Sequence, residues 1–156
     1  MAEHYLALKW LHVVGAAVIF GTGLGTAFHF WITWRGGNVV AIAAAARSTV
    51  LADYLFTLPA VIVQPITGIA MAFAAGYPLT ATWILASFLL YLVAGACWVP
   101  VVFIQRRLRA LAEESARTST PLPEAFTRLA RTWFVLGWPA FIAVAAIFWL
   151  MIARPA

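Results

Sequence analysis

The chain has 156 residues, of which 65% are apolar and only 10% charged, with a formal net charge of +5. A soluble domain carries roughly 25% charged residues, so this chain cannot clothe itself in polar side chains, and lipid must be its solvent. The positive balance would suit nucleic acid, but nearly all the arginines stand between apolar segments, where they orient a membrane protein; no nucleic-acid partner is expected. At about 20–25 residues per crossing, the length accommodates four spans. The expected fold is therefore all-α, a four-transmembrane-helix bundle forming a single integral membrane domain over residues 1–156.

The first span is expected over residues 5–34, longer than a bilayer requires and so tilted or projecting. Its apolar run outlasts the h-region of a signal peptide and no A-x-A site follows, so the helix is expected to be retained. Arg35-Gly36-Gly37-Asn38 reads as a turn, and the alanine-rich stretch Val39–Ala46 as a short interfacial helix. The second span is expected over 51–75, with Asp53 near its start, where a carboxylate suits the helix dipole. Gly76-Tyr77-Pro78 is a tight turn. The third span is expected over 80–105, stopping at Arg106-Arg107-Leu108-Arg109. LRALAEESAR then extends helically into water, Ser119–Pro123 breaks it, and the last span covers 132–153.

Loops one and three share a side and hold Arg35, Arg47, Arg106, Arg107, Arg109, Arg117, Arg128 and Arg131, against Lys9 and Arg154 opposite. By the positive-inside rule both termini face outward, which in a bacterial inner membrane means the periplasm.

Ionisable groups inside a span are functional candidates by default. His12 lies about 10 Å inside the outer end of the first helix at 1.5 Å per residue. A neutral imidazole there suits the axial position of a haem iron in a four-helix bundle, and Lys9, one turn earlier on the same side, suits a haem propionate. The competing structural reading is a histidine bonded to a neighbouring helix. His29, about 25 Å further along, is either a second site or an ordinary interfacial aromatic. The histidines His4, His12 and His29 all belong to one helix, so a bis-histidine haem bridging two helices of one chain is impossible. The second ligand would be Met71, Tyr91 or a histidine of a second copy. In the second span, Pro59 and the run Gln64-Pro65-Ile66-Thr67-Gly68 kink the helix; Gln64 and Thr67 either bond the freed carbonyls or line a substrate or quinone pocket. Gly21 and Gly25 have the small-xxx-small spacing of a helix contact, within the chain, in a homodimer or in a larger complex. The lone Cys97 excludes an internal disulfide and any CxxC pair, and reads as a packing residue.

Lys9-Trp10-Leu11-His12-Val13-Val14-Gly15, Phe20–Phe28, Leu51-Ala52-Asp53-Tyr54, Gln64–Gly68 and Gly95–Pro100 resemble, over essentially the whole chain, a bacterial domain-of-unknown-function family of predicted integral membrane proteins. That resemblance implies four helices and no established activity. A looser similarity reaches the four-helix membrane protoporphyrinogen oxidases and the membrane part of copper-resistance D proteins, which place a K-x-x-H-like motif early in the first helix. The oxidase similarity implies that His12 is a haem ligand, while the oxidase's Pro-Arg continuation is missing here. The expectation is a b-type haem-binding, redox-associated membrane protein; the alternatives are a non-enzymatic accessory subunit and a small-solute or metal transporter.

Overall fold

The computed structural model describes residues 2–155, Met1 and Ala156 lying outside it. It is all-helical among those residues: α1 (Ala2–Arg35), α2 (Val39–Ala52), a π-helical turn (Asp53–Thr57), α3 (Leu58–Ala74), α4 (Thr82–Thr118) and α5 (Glu124–Ala153). The segments α2, π-turn and α3 run on as one rod, so four long apolar rods, each able to cross a bilayer, make up the chain.

The second rod refines one expectation. Val39–Ala46 is helical, as expected, but runs unbroken into the helix that follows and is not a separate piece. The Arg35-Gly36-Gly37-Asn38 turn is real, with Gly37 at φ +72, but Asn38 caps the helix that follows by accepting the Ala41 N–H at 3.0 Å. With no break between Ala46 and Leu51, the helix starts at Val39, and Asp53 stands fourteen residues in, far from any helix N-terminus.

The rod's far end is closed by chemistry legible in the sequence. Gly76 takes φ +72, its N–H bonds the Phe73 carbonyl and the Tyr77 N–H bonds the Ala72 carbonyl, a Schellman cap that needs a residue without Cβ. Opposite, α4 runs on as LRALAEESAR and ends where Ser119 turns left-handed.

The rods are not packed evenly. α4 lies along α5, α2 along α4, and α1 along α2 and α3, whereas α3 scarcely approaches α4. The closely packed core gathers at the arginine-rich end, where Ile42, Leu108, Ala112, Phe126 and Ala130 are all but inaccessible and Phe30 meets Trp133 edge-on at 5.4 Å. Alanines at 43, 45, 46, 112 and 130 let the helices close there. Just beyond it, Glu113 accepts from both Arg47 of α2 and Arg109 of α4 at 2.9 Å. Arg109 and then Arg47 hold that carboxyl below the usual glutamate range. At the other end the α1–α5 contact runs through bulkier groups: Phe20 stacks on Phe141 at 4.5 Å and meets Phe148 at 5.4 Å. Arg154, at the end of α5, donates to the Tyr77 hydroxyl at 2.8 Å.

One interhelical bond compensates for a proline. Pro65 lacks the N–H that would bond the carbonyl four residues back, at Val61. The Tyr91 hydroxyl, from α4, donates to that Val61 carbonyl. Tyr91, a candidate iron ligand by sequence, is thus committed to repairing the α3 backbone. Tyr91→Phe leaves a half-buried carbonyl unpaired at an expected cost of about 1–3 kcal/mol; a thermal melt in detergent should show a lowered midpoint, and an unchanged one would mean the bond contributes nothing.

Candidate functional site

α1 and α3 meet through complementary small and polar groups. Gln64, Thr67 and Met71 follow each other at helical spacing on α3, and Gln64 and Thr67 are buried. Gly15 of α1 lies against Gln64: a Cβ there would stand 3.5 Å from Oε1. Gly68 of α3 lies under the His12 ring: a Cβ there would stand 3.2 Å from Cε1. Each glycine makes room for the polar side chain of the facing helix.

Within this contact His12 Nδ1 lies 2.8 Å from Thr67 Oγ1. The Thr67 hydroxyl also faces two carbonyls of its own helix, Val63 at 2.9 Å and Gln64 at 3.1 Å. With the hydroxyl proton back-bonded to these carbonyls, its oxygen is free to accept from His12 Nδ1–H. That arrangement would leave Nε2 with its lone pair, the way a second group orients a metal-ligating histidine. The Thr67 back-bonding thus bears on how the imidazole is presented.

The remaining sequence candidates scatter. Lys9, three residues before His12 on α1, is exposed. His29 is exposed near the opposite end of α1 and takes no part in the His12 contact. Met71 is half-buried one turn beyond Thr67. Gly21 and Gly25 share one open face of α1 and Gly23 lies on the other side; at each an added Cβ would meet nothing within 4 Å. Among the described residues no three His, Cys, Asp or Glu side chains come together to hold a bare metal ion.

A second polar cluster escaped the sequence reading. Asp53 is only 7% exposed, and the Thr57 hydroxyl donates to its Oδ1 at 2.8 Å. The π-turn sets this pair: the Leu58 N–H reaches back five residues to the Asp53 carbonyl, a widening frequent at functional positions. Asp53, Trp98 and Gln105 line a groove of about 190 Å³ between the second rod and α4, walled by Tyr54, Leu58 and Phe103. The Trp98 and Trp133 Nε1–H groups and the Gln64 Oε1 are buried without hydrogen-bond partners among the described residues. The signal available was the carboxylate itself; its burial follows from the unbroken helix through Val39–Ala52, which the sequence divides into two pieces.

The fold and match agree on what kind of protein this is. Residues 6–155 match the family described as predicted integral membrane protein DUF2269. The chain belongs to that family. No curated protein and no solved structure matches it. As an integral membrane protein of four apolar rods, it contacts the lipid bilayer along most of its length.

Thr67→Val removes the acceptor of His12 Nδ1–H and leaves a part-buried donor unpaired, at an expected cost of about 1–3 kcal/mol. Nitrogen-15 NMR of labelled histidine reads the tautomer directly: a defined Nδ1–H form in the wild type should give way to a mixture in the variant. A wild type already protonated at Nε2 would refute the assignment.

Proposed function

We propose that this chain binds a b-type haem through Nε2 of His12, in a bacterial inner membrane with both termini on the periplasmic side. The observation that carries the reading is the 2.8 Å contact between His12 Nδ1 and Thr67 Oγ1, which holds the imidazole in one orientation. The residues fit such a group in kind. A porphyrin supplies four of the iron's ligands, so one histidine suffices where a bare ion would need three or four protein donors. When bound, the haem supplies one-electron redox chemistry. His12 would hold the iron and Thr67 would hold His12, and the exposed Lys9 one turn outward would offer a cation for a propionate. Met71, one turn beyond Thr67 on α3, would be the candidate for a further ligand. The looser likeness of the Lys9-x-x-His12 motif to the membrane protoporphyrinogen oxidases supports the reading at the level of the ligand only.

The detergent-purified protein, expressed with haem supplied, should show a Soret band and sharpened reduced bands that disappear in His12→Ala and persist in His29→Ala. A colourless wild type, or a band indifferent to His12, overturns the proposal. The orientation has its own check. Alkaline phosphatase fused after Arg154 should be active in the periplasm, and the same fusion in the 119–123 loop silent; the reverse pattern would invert the topology.

A further inference from the structure

We propose that the groove between the second rod and α4 binds the ring of a lipid-soluble phenol or quinol, its hydroxyl donating to Asp53 and accepting from the Trp98 Nε1–H. The site is independent of the haem reading. Asp53 and Thr67 are fourteen residues apart on one rod, about 21 Å at helical rise.

Three features of the groove define the ligand. Its size, about 190 Å³, exceeds the roughly 150 Å³ apolar cavity that accepts benzene and suits one substituted six-membered ring. Its walls are Val50, Tyr54, Leu58, Val99, Val102 and Phe103, apolar or aromatic surfaces matched to a flat ring. It opens sideways, because Tyr54 and Phe103 are 45% and 63% exposed, so a ligand dissolved in the bilayer reaches it without crossing water.

The polar end of the groove selects the functional group. Asp53 already accepts from Thr57 on one oxygen and retains acceptor capacity on the other. Trp98 Nε1–H borders the same carboxyl but is buried with no partner in bonding geometry. Such an orphan donor costs about 1–3 kcal/mol until something accepts from it. Gln105 borders the same carboxyl, so the end of the groove is rich in donors around one acceptor; a phenolic hydroxyl can donate to the carboxyl and accept from the indole with a single atom. An ammonium ion donates only and would leave the indole unsatisfied. It would also approach a carboxyl whose neighbour Gln105 adjoins the exposed cations Arg106 and Arg107. Among the described residues no cation pairs with Asp53, the ion pairs being those of Glu113 and Glu114.

The test uses the full chain in quinone-free lipid nanodiscs and a hydrophobic phenol carrying a photoreactive diazirine, with labelled peptides mapped by mass spectrometry. Labelling is expected to saturate on the segments 50–58 and 98–105, and to be displaced by excess short-chain benzoquinol. Asp53→Asn, which keeps the shape but turns one acceptor oxygen into a donor, should weaken the probe by about tenfold. Trp98→Phe provides a second variant should Asp53→Asn fail to fold, and it should weaken the probe several-fold. His12→Ala should label like the wild type, which separates this site from the haem reading. Labelling that never saturates, that ignores both substitutions, or that dodecylammonium displaces while benzoquinol does not, would overturn the proposal; the last result would assign the groove to cations.

Discussion

Inside a bilayer no water bonds a stray backbone group, so a spanning helix must satisfy every N–H and C=O from within the protein. The second rod carries two prolines in its span, Pro59 and Pro65, and each withholds one N–H from the ladder. Much of what is distinctive in this structure is a response to those two omissions. Around Pro59 the helix widens into the π-turn Asp53–Thr57. Below Pro65 the Val61 carbonyl is taken up by Tyr91 from another helix. These adjustments place polar atoms at fixed points in an otherwise apolar rod.

Two polar clusters sit on this rod. Thr57 donates to Asp53 one turn back, and the back-bonded Thr67 faces His12. The Asp53 cluster borders the alanine-rich core at the arginine end, since Trp98 packs against that core and Gln105 lines the same groove as Asp53. The His12 cluster stands apart from it, at the α1–α3 contact. Close packing of apolar groups anchors the fold at the arginine end.

The architecture was legible because it is written in composition and in charge placement. Four apolar runs, the Gly76 turn and the helical character of LRALAEESAR are local properties. His12 and the Gln64–Gly68 run were likewise visible as separate oddities, but nothing local says that they touch: Gly68 lies beneath His12 because two helices fifty-five residues apart pack there. The Val39–Ala46 stretch misled, since alanine and valine suit an interfacial helix and a tightly packed span equally well, and only contact with α4 decides between them. That one misplacement carried Asp53 from the buried interior of a helix to its supposed N-terminus, where a carboxylate is unremarkable. The Tyr91 contact was hidden for the complementary reason. Its role as partner of Val61 depends on which carbonyl Pro65 frees and which helix lies opposite, and the second of these is a tertiary fact.

In a chain with so few polar groups, the unsatisfied ones weigh heavily. Gln64 Oε1 and the indole N–H groups of Trp98 and Trp133 each forgo about 1–3 kcal/mol while unpaired, against a net stability that for folded domains is only about 5–15 kcal/mol. Such groups are tolerated where something else depends on their position. Gln64 stands at the α1–α3 contact that orients His12, and Trp98 stands over Asp53. An apolar residue of similar size at either place would pack as well and would be the cheaper solution in lipid. That the chain carries unpaired polar groups at these two places, Gln64 on α3 and Trp98 on α4, is what separates the two clusters from ordinary helix packing.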